Sequence, residues 1–318
     1  DWTFIDCPGS IELAQEALNA IAIADIAVLV VEPGAQKAIA ATRAMKELDR
    51  SGLPYIIFIN KMDGVEARVK ATLEALQALT ERPLVLREIP IRDGDEVTGH
   101  VDLVSERAYK YSGNGKSDLI EVPTELTDRT DEERTVLLET LADFNDDLLE
   151  QLLEDVLPGT EDVYQNLSKD LQDGSIVPVF FGSAETESGI KRLMKALRHE
   201  APEVAQTADR HGIDAEGEVL AQVLKIYNGS TSGKLTFVRF WRGEFTDGGS
   251  LNGSRVSGIF KMMGLQQNKV SSARAGDLVA LGRVENVKVG DALSASGNAE
   301  AADWPQPLPP VYALAIHA

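Results

Sequence analysis

Cysteine is almost missing from these 318 residues, Cys7 being the only one. No internal disulfide framework can exist, and a reducing, cytoplasmic setting is expected. Histidine is nearly as scarce: His100, His199, His211 and His317 are too scattered for metal-ligand spacing, with no second thiol to complete a set. There is no run of about 18 apolar residues. The nearest candidate, IAIADIAVLVVEP from Ile21, is broken by Asp25 and closed by Glu32 and Pro33, so a soluble chain with no membrane contact is expected. The first residue is Asp1 rather than Met, so the chain is expected to be a piece of something longer or a processed form, and no targeting segment can be read.

What is present is a hydrophobic fraction of 43 %, sufficient for real cores in two or three domains. The formal charge of -20 speaks at first against a nucleic-acid partner, but it is unevenly spread. From Glu88 to Asp173 there are 24 acidic against 7 basic residues, whereas Val219 to Ala299 carries 10 basic against 5 acidic. Only the second segment could sit comfortably beside phosphates. Lys225, Arg239, Arg242, Lys261 and Arg283 are its candidate contacts, with a mixed surface as the plain alternative. The acidic helical stretch from Asp131 to Glu154 reads more simply as a solvated face than as a docking surface.

Up to residue 87, short apolar runs alternate with helical stretches, the rhythm of a parallel α/β sheet covered on both faces. WTFID, IAVLVVEP and PYIIFINK are its expected strands, and the helix before Gly52 ends as a glycine C-cap would end it. A further strand, IVPVFFGSA, comes only at Ile176 and is followed by a helix. The division expected is therefore an α/β domain over 1–87 and 176–205 and an inserted subdomain over 88–175. The glycine-punctuated strands that follow predict an all-β barrel over 216–302, and 309–318 would begin a third domain.

Three clusters close the expected strands: DCPG at Asp6 to Gly9, NKMD at Asn60 to Asp63, and GSA at Gly182 to Ala184. Ligands of open α/β sheets bind outside the carboxyl ends of the strands. A DxxG alone is commonly an ordinary turn, and an Asp at a strand end also caps helices. NKMD is sharper. Guanine offers its ring N–H and its 2-amino group side by side, and the Asp63 carboxylate accepts both. Asn60 can hold the other purine edge, the Lys61 stem can lie along the base, and an amide near Ser183 or Ala184 can donate to the carbonyl that adenine lacks.

This motif order, the 120 residues between Asp63 and Ser183, the EIPI…TGHVDLV insertion and the glycine-punctuated barrel resemble bacterial elongation factor G over essentially the whole chain. The resemblance implies an α/β GTPase domain, incomplete because its phosphate-loop strand is absent, with an inserted α+β subdomain, followed by an all-β barrel domain. It implies a ribosome-associated, monomeric translational GTPase of the cytoplasm that uses GTP/GDP and Mg2+, with ribosomal RNA and ribosomal proteins as partners. Related factors that terminate translation or protect ribosomes stay open within that class. A non-hydrolysing ribosome-binding paralogue, its nucleotide domain reduced to a scaffold, is the alternative from another class.

Carried onto this sequence, the resemblance makes Asn60, Lys61, Asp63, Ser183 and Ala184 the base readers. Asp6 would face Mg2+ through water, and Gly9 would face the γ-phosphate. Two departures stand out. No GxxxxGK[ST] occurs in the 318 residues, so a phosphate cradle is expected to be missing and the chain alone inactive. Where the family usually reads D-x-P-G-H, its His positioning the attacking water, this sequence has Ser10. That position is the mark of slow or altered hydrolysis, a neutral drift compensated elsewhere, or a cap for the helix starting at Ile11.

Overall fold

The computed structural model describes residues 2–64, 69–229, 233–300 and 302–306. The expected start of a third domain at 309–318 lies outside them. The chain divides into two compact units, one covering Asp25–Pro202 and the other combining the residues up to Ala24 with those from Glu203 onward.

The N-terminal stretch corrects one expectation. Trp2 to Gly9 adopts no regular structure, and Trp2 and Phe4 are 48 % and 65 % exposed. WTFID alternates as a strand should, but an extended segment becomes a strand only when a neighbour satisfies its row of amides and carbonyls. None of the described residues pairs with it. A 3-10 turn, Ile11–Leu13, then leads into helix α1, Ala14–Ile21.

In the unit Asp25–Pro202, β1 (Ala27–Val31), β2 (Tyr55–Ile59), β3 (Leu84–Leu86) and a later strand, β8, form a parallel sheet in the order β1-β2-β8-β3. β2 reads YIIFI and is buried throughout, as expected of a strand covered on both faces. β1 is an edge strand, with Val30 58 % exposed. Helices α2 (Ala35–Ala38), α3 (Thr42–Ser51) and α4 (Val69–Gln77) connect these strands. α3 stops at Gly52, whose φ of 69° a glycine adopts without steric cost.

After β3 the chain leaves this sheet. β4 (Glu88–Asp93), β5 (Glu96–Asp102), β6 (Arg107–Gly113) and β7 (Lys116–Ile120) make an antiparallel meander. Helices α5 (Thr127–Ala142), α6 (Asp146–Leu153) and α7 (Thr160–Gln172) follow. Asn145 caps α6 by accepting from the amides of Asp147 and Leu148. The buried Arg134 of α5 donates to the carbonyls of Leu103 and Val104, at 2.6 and 2.9 Å, and so ties helix to meander. β8 (Val177–Phe181) then returns to the parallel sheet, and α8 (Ile190–Glu200) packs Leu193, Ala196 and Leu197 on Ile56, Phe58 and Phe180.

In the other unit, α9 (Val204–Arg210), opened by a Glu203/Gln206 capping box, occupies part of what reads as a polar linker. β9 (Leu220–Gly229) and β10 (Gly233–Arg242) begin an antiparallel β domain. β11 (Glu244–Thr246), β12 (Ser250–Leu251), β13 (Ser254–Arg255), β14 (Ile259–Met263), β15 (Gln266–Val270), β16 (Ser272–Arg274), β17 (Leu278–Gly282) and β18 (Ala292–Ser294) complete it. Its main sheet runs β15-β14-β17-β10-β9-β18 around Val223, Val238, Phe240, Leu281 and Leu293. Ile23, following α1, packs with Ala208, Leu220, Leu224 and Trp241. Arg239 is not a surface cation: it is 5 % exposed, donates to the Ile23 carbonyl at 2.7 Å and stacks 4.7 Å from the Trp241 ring centroid. Its guanidinium is already engaged inside the fold and does not face a nucleic acid.

Candidate functional site

β2 and β8 are neighbours, so the clusters that close them, NKMD and GSA, meet although 124 residues separate Asn60 from Ala184. The ladder continues past both strands: the Gly182 amide donates to Ile59 O at 2.9 Å, and the Met62 amide donates to Gly182 O at 3.0 Å. Asn60 Oδ1 then accepts from the Ala184 amide at 2.9 Å. With its oxygen committed inward, the amide nitrogen of Asn60 is the group left for a purine edge. Asp63 is exposed at the lip of a small cavity lined also by Met62, Val97, Tyr111, Gly182, Ser183, Thr186 and Ser188.

Gly182 has no substitute at this crossing. A Cβ there would lie 2.1 Å from Ser188 O and 2.9 Å from the Phe58 ring, closer than any packing tolerates. Ser183 donates its amide to Ser188 O at 2.9 Å. The amides of Ser183 and Ala184 thus both have protein acceptors here, and one of them must share or exchange its bond to donate to a guanine carbonyl.

Lys61 adopts a left-handed backbone, φ 61°, at a cost of roughly 1–2 kcal/mol for a residue with a Cβ. Its ammonium pairs with Glu32 at the carboxyl end of β1, which Lys37 also reaches at 2.7 Å. Hydrogen bonds from Lys37 and then Lys61 hold the Glu32 carboxyl down at about 2. The head of Lys61 is engaged by Glu32, and backbone strain of this kind is commonly found at binding loops.

The expected phosphate-side residues lie in the other unit. Asp6, Gly9 and Ser10 are exposed and belong to the irregular segment before α1. Ser10 occupies the N-cap position of the Ile11–Leu13 turn, but its hydroxyl makes no capping bond; its carbonyl accepts from the Leu13 amide instead. No group of three or more His, Cys, Asp or Glu able to hold a metal ion occurs among the described residues.

For a guanine nucleotide, then, the residues that fit lie at the base end: the Asp63 carboxylate shares a cavity with the Gly182–Ser183 turn, and Asn60 is bonded to that turn at Ala184. Sequence reasoning did not find Val97, Tyr111 and Glu88, which approach this place from the inserted meander. A glutamate opening the apolar run EIPI was the available signal for the last.

Residues 1–203 match the family described as Elongation factor Tu GTP binding domain. Among curated proteins, an Elongation factor G-like protein of Synechocystis is 40 % identical over 98 % of this chain and 47 % of its own length. Elongation factor G 1 of Borreliella burgdorferi is 30 % identical over 88 % of this chain and 43 % of its own length. Elongation factor G 2 of Pseudoalteromonas translucida is 27 % identical over 91 % and 45 %. The chain thus spans about half the length of these relatives. A solved structure from Thermus thermophilus is similar over 96 % of this chain and 44 % of its own, with a TM-score of 0.78 and 27 % identity.

Proposed function

Because the chain belongs to the elongation factor Tu GTP-binding family and is an elongation factor G-like member of it, we propose that the protein is a ribosome-associated GTPase coupling GTP hydrolysis to a step of protein synthesis. The observation that carries this is the Asn60–Ala184 bond, which joins the two base-reading clusters at the ends of adjacent parallel strands. On this proposal Asp63 accepts from the guanine ring N–H and 2-amino group, Asn60 donates to the other edge, Lys61 lies along the base, and an amide of the Ser183–Ala184 turn meets the 6-carbonyl.

Asp6, through water, and Gly9 would face Mg2+ and the γ-phosphate. Magnesium would neutralise charge on the phosphates; this chain's part would be to hold a magnesium-bound water through Asp6 and to present Ser10 to the separate water that attacks the γ-phosphate. The domain division proposed is a GTP-binding part over 1–87 and 176–205, an inserted subdomain over 88–175 and a β-barrel domain over 216–302. Acting as a monomer in the cytoplasm on ribosomal RNA and proteins belongs to the same proposal. No helix among the described residues is long and apolar enough to cross a membrane.

The test is Asp63→Asn in the product of the whole open reading frame. Exchanging an acceptor pair for one acceptor and one donor suits xanthine, which carries a carbonyl where guanine has its 2-amino group. Nucleotide preference should move from GDP towards XDP. Unchanged GDP affinity with no gain for XDP rejects Asp63 as the guanine reader. The non-hydrolysing alternative rests on Ser10, and ribosome-stimulated turnover decides it.

A further inference from the structure

One side chain carries the inserted meander to the base-reading turn. Arg87 still belongs to the parallel sheet, its amide donating to Val179 O at 3.1 Å. At the next residue the chain turns away into β4, and the Glu88 side chain faces back: Oε1 accepts from the Phe181 amide at 3.1 Å. Phe181 is the last residue of β8 and directly precedes Gly182, Ser183 and Ala184. The Glu88 carboxylate is fully buried, and its other oxygen lies 3.7 Å from Nε2 of the buried His100 on β5. The His100 ring packs on Tyr109 and Tyr111 of β6, centroids 5.3 and 5.6 Å away. Tyr111 lines the same cavity as Asp63 and Ser183, and burial together with the Glu88 charge raises its phenol well above the ordinary range.

Joining two sheets does not by itself call for this arrangement. A buried carboxylate loses several kcal/mol of hydration, and an apolar side chain of equal volume would pack there without that cost. What an apolar side chain cannot do is accept the Phe181 N–H. That bond fixes where β8 ends, and with it where the turn that follows begins.

We propose that Glu88 is a positioning residue for purine recognition: by accepting the Phe181 amide it sets the Gly182–Ala184 turn against the 6-carbonyl of guanine, its other oxygen lying buried 3.7 Å from His100 Nε2 with no hydrogen-bond partner among the described residues. This rests on the base site proposed above. It makes the inserted meander part of the nucleotide pocket, with a selectivity role separable from that of Asp63. The turn reads the 6-carbonyl, shared by guanine and hypoxanthine; Asp63 reads the 2-amino group, which hypoxanthine lacks.

The experiment measures GDP, IDP and ADP affinities of the whole open-reading-frame product, with amide exchange across residues 181–184. Glu88→Met fills the volume and removes the acceptor. It should weaken GDP and IDP alike by about tenfold, the scale of one hydrogen bond to a charged group, leave ADP nearly unchanged, and speed exchange at 181–184 but not in β2. Glu88→Gln keeps an acceptor and should restore parent selectivity. Parent GDP affinity and parent exchange in Glu88→Met overturn the proposal, as does an equal loss for GDP and ADP, which marks general loosening. Should Glu88→Met not fold, Glu88→Gln decides alone: a tenfold fall in its GDP-over-ADP preference overturns it. Failure of the base site itself shows separately, as Asp63→Asn gaining nothing for XDP.

Discussion

Ser10 is the residue on which the two functional alternatives divide. Its hydroxyl is exposed and caps nothing, because the Ile11–Leu13 turn is closed by its backbone carbonyl. A hydroxyl can hydrogen-bond water but is shorter than an imidazole and acquires no positive charge near neutral pH. A group positioned on attacking water is commonly worth about 10²- to 10⁴-fold in rate. Ser10→His should therefore raise single-turnover GTP hydrolysis on saturating ribosomes at least several-fold, with GTP affinity unchanged, since the gain is made in the transition state. A parent that already turns over rapidly and gains nothing from His would place water positioning elsewhere. At this scale the meeting of the NKMD and GSA clusters, Asn60 with Ala184, was legible in the sequence, because strand ends lie side by side in parallel sheets. Glu88 was not: its role depends on which amide a distant strand presents to it, and sequence spacing carries no trace of that.

Among the elements, β2 and β8 could be read from their unbroken apolar runs and the meander from its alternation, both direct consequences of burial on two faces or one. β3, with three residues, is too short to show a period. Trp2–Asp6 has the right alternation and forms no ladder, because pairing depends on a neighbour that a residue pattern cannot supply. Helix α7 carries a measurable conflict. Asp170 is 3 % exposed, its Oδ2 has no hydrogen-bond partner, and burial, with Asp173 adding to it and Lys169 opposing it, raises its carboxyl from 3.8 to about 6. For an acid raised in the folded state, the fold holds its proton while the unfolded chain has released it. The stability this group contributes is fully present below about pH 4, the unfolded value, and is lost as pH rises through about 6. Asp170→Asn should accordingly leave the melting temperature nearly unchanged at pH 4 and raise it at pH 8. A shift of the same size at both pH values would mean that the carboxyl is not protonated in the fold.

The whole molecule divides its charge as well as its chain. The inserted segment holds most of the -20, while the β domain is mildly basic, so the field around the base site is set by a polyanionic neighbour in the same unit, whereas Asp6, Gly9 and Ser10 belong to the other. Nucleotide affinity in P-loop proteins comes largely from backbone amides, a lysine and Mg2+ around the phosphates, and no GxxxxGK[ST] occurs in these 318 residues. On the proposed site the chain contributes the base end: four hydrogen bonds at about 1–1.5 kcal/mol each, or about 4–6 kcal/mol. That corresponds to dissociation constants between about 1 mM and about 50 μM, before the acidic field acts against a nucleoside di- or triphosphate. Calorimetry on this chain should find GDP and GTP bound in that weak range, and bound about as well as guanosine, because its sequence carries no GxxxxGK[ST] loop to hold the α- and β-phosphates. Added Mg2+ should change the affinity little beyond shielding the charge. A sub-micromolar constant, or a guanosine affinity far below that of GDP, would mean that other residues of this chain cradle the phosphates, through its backbone amides or its basic side chains.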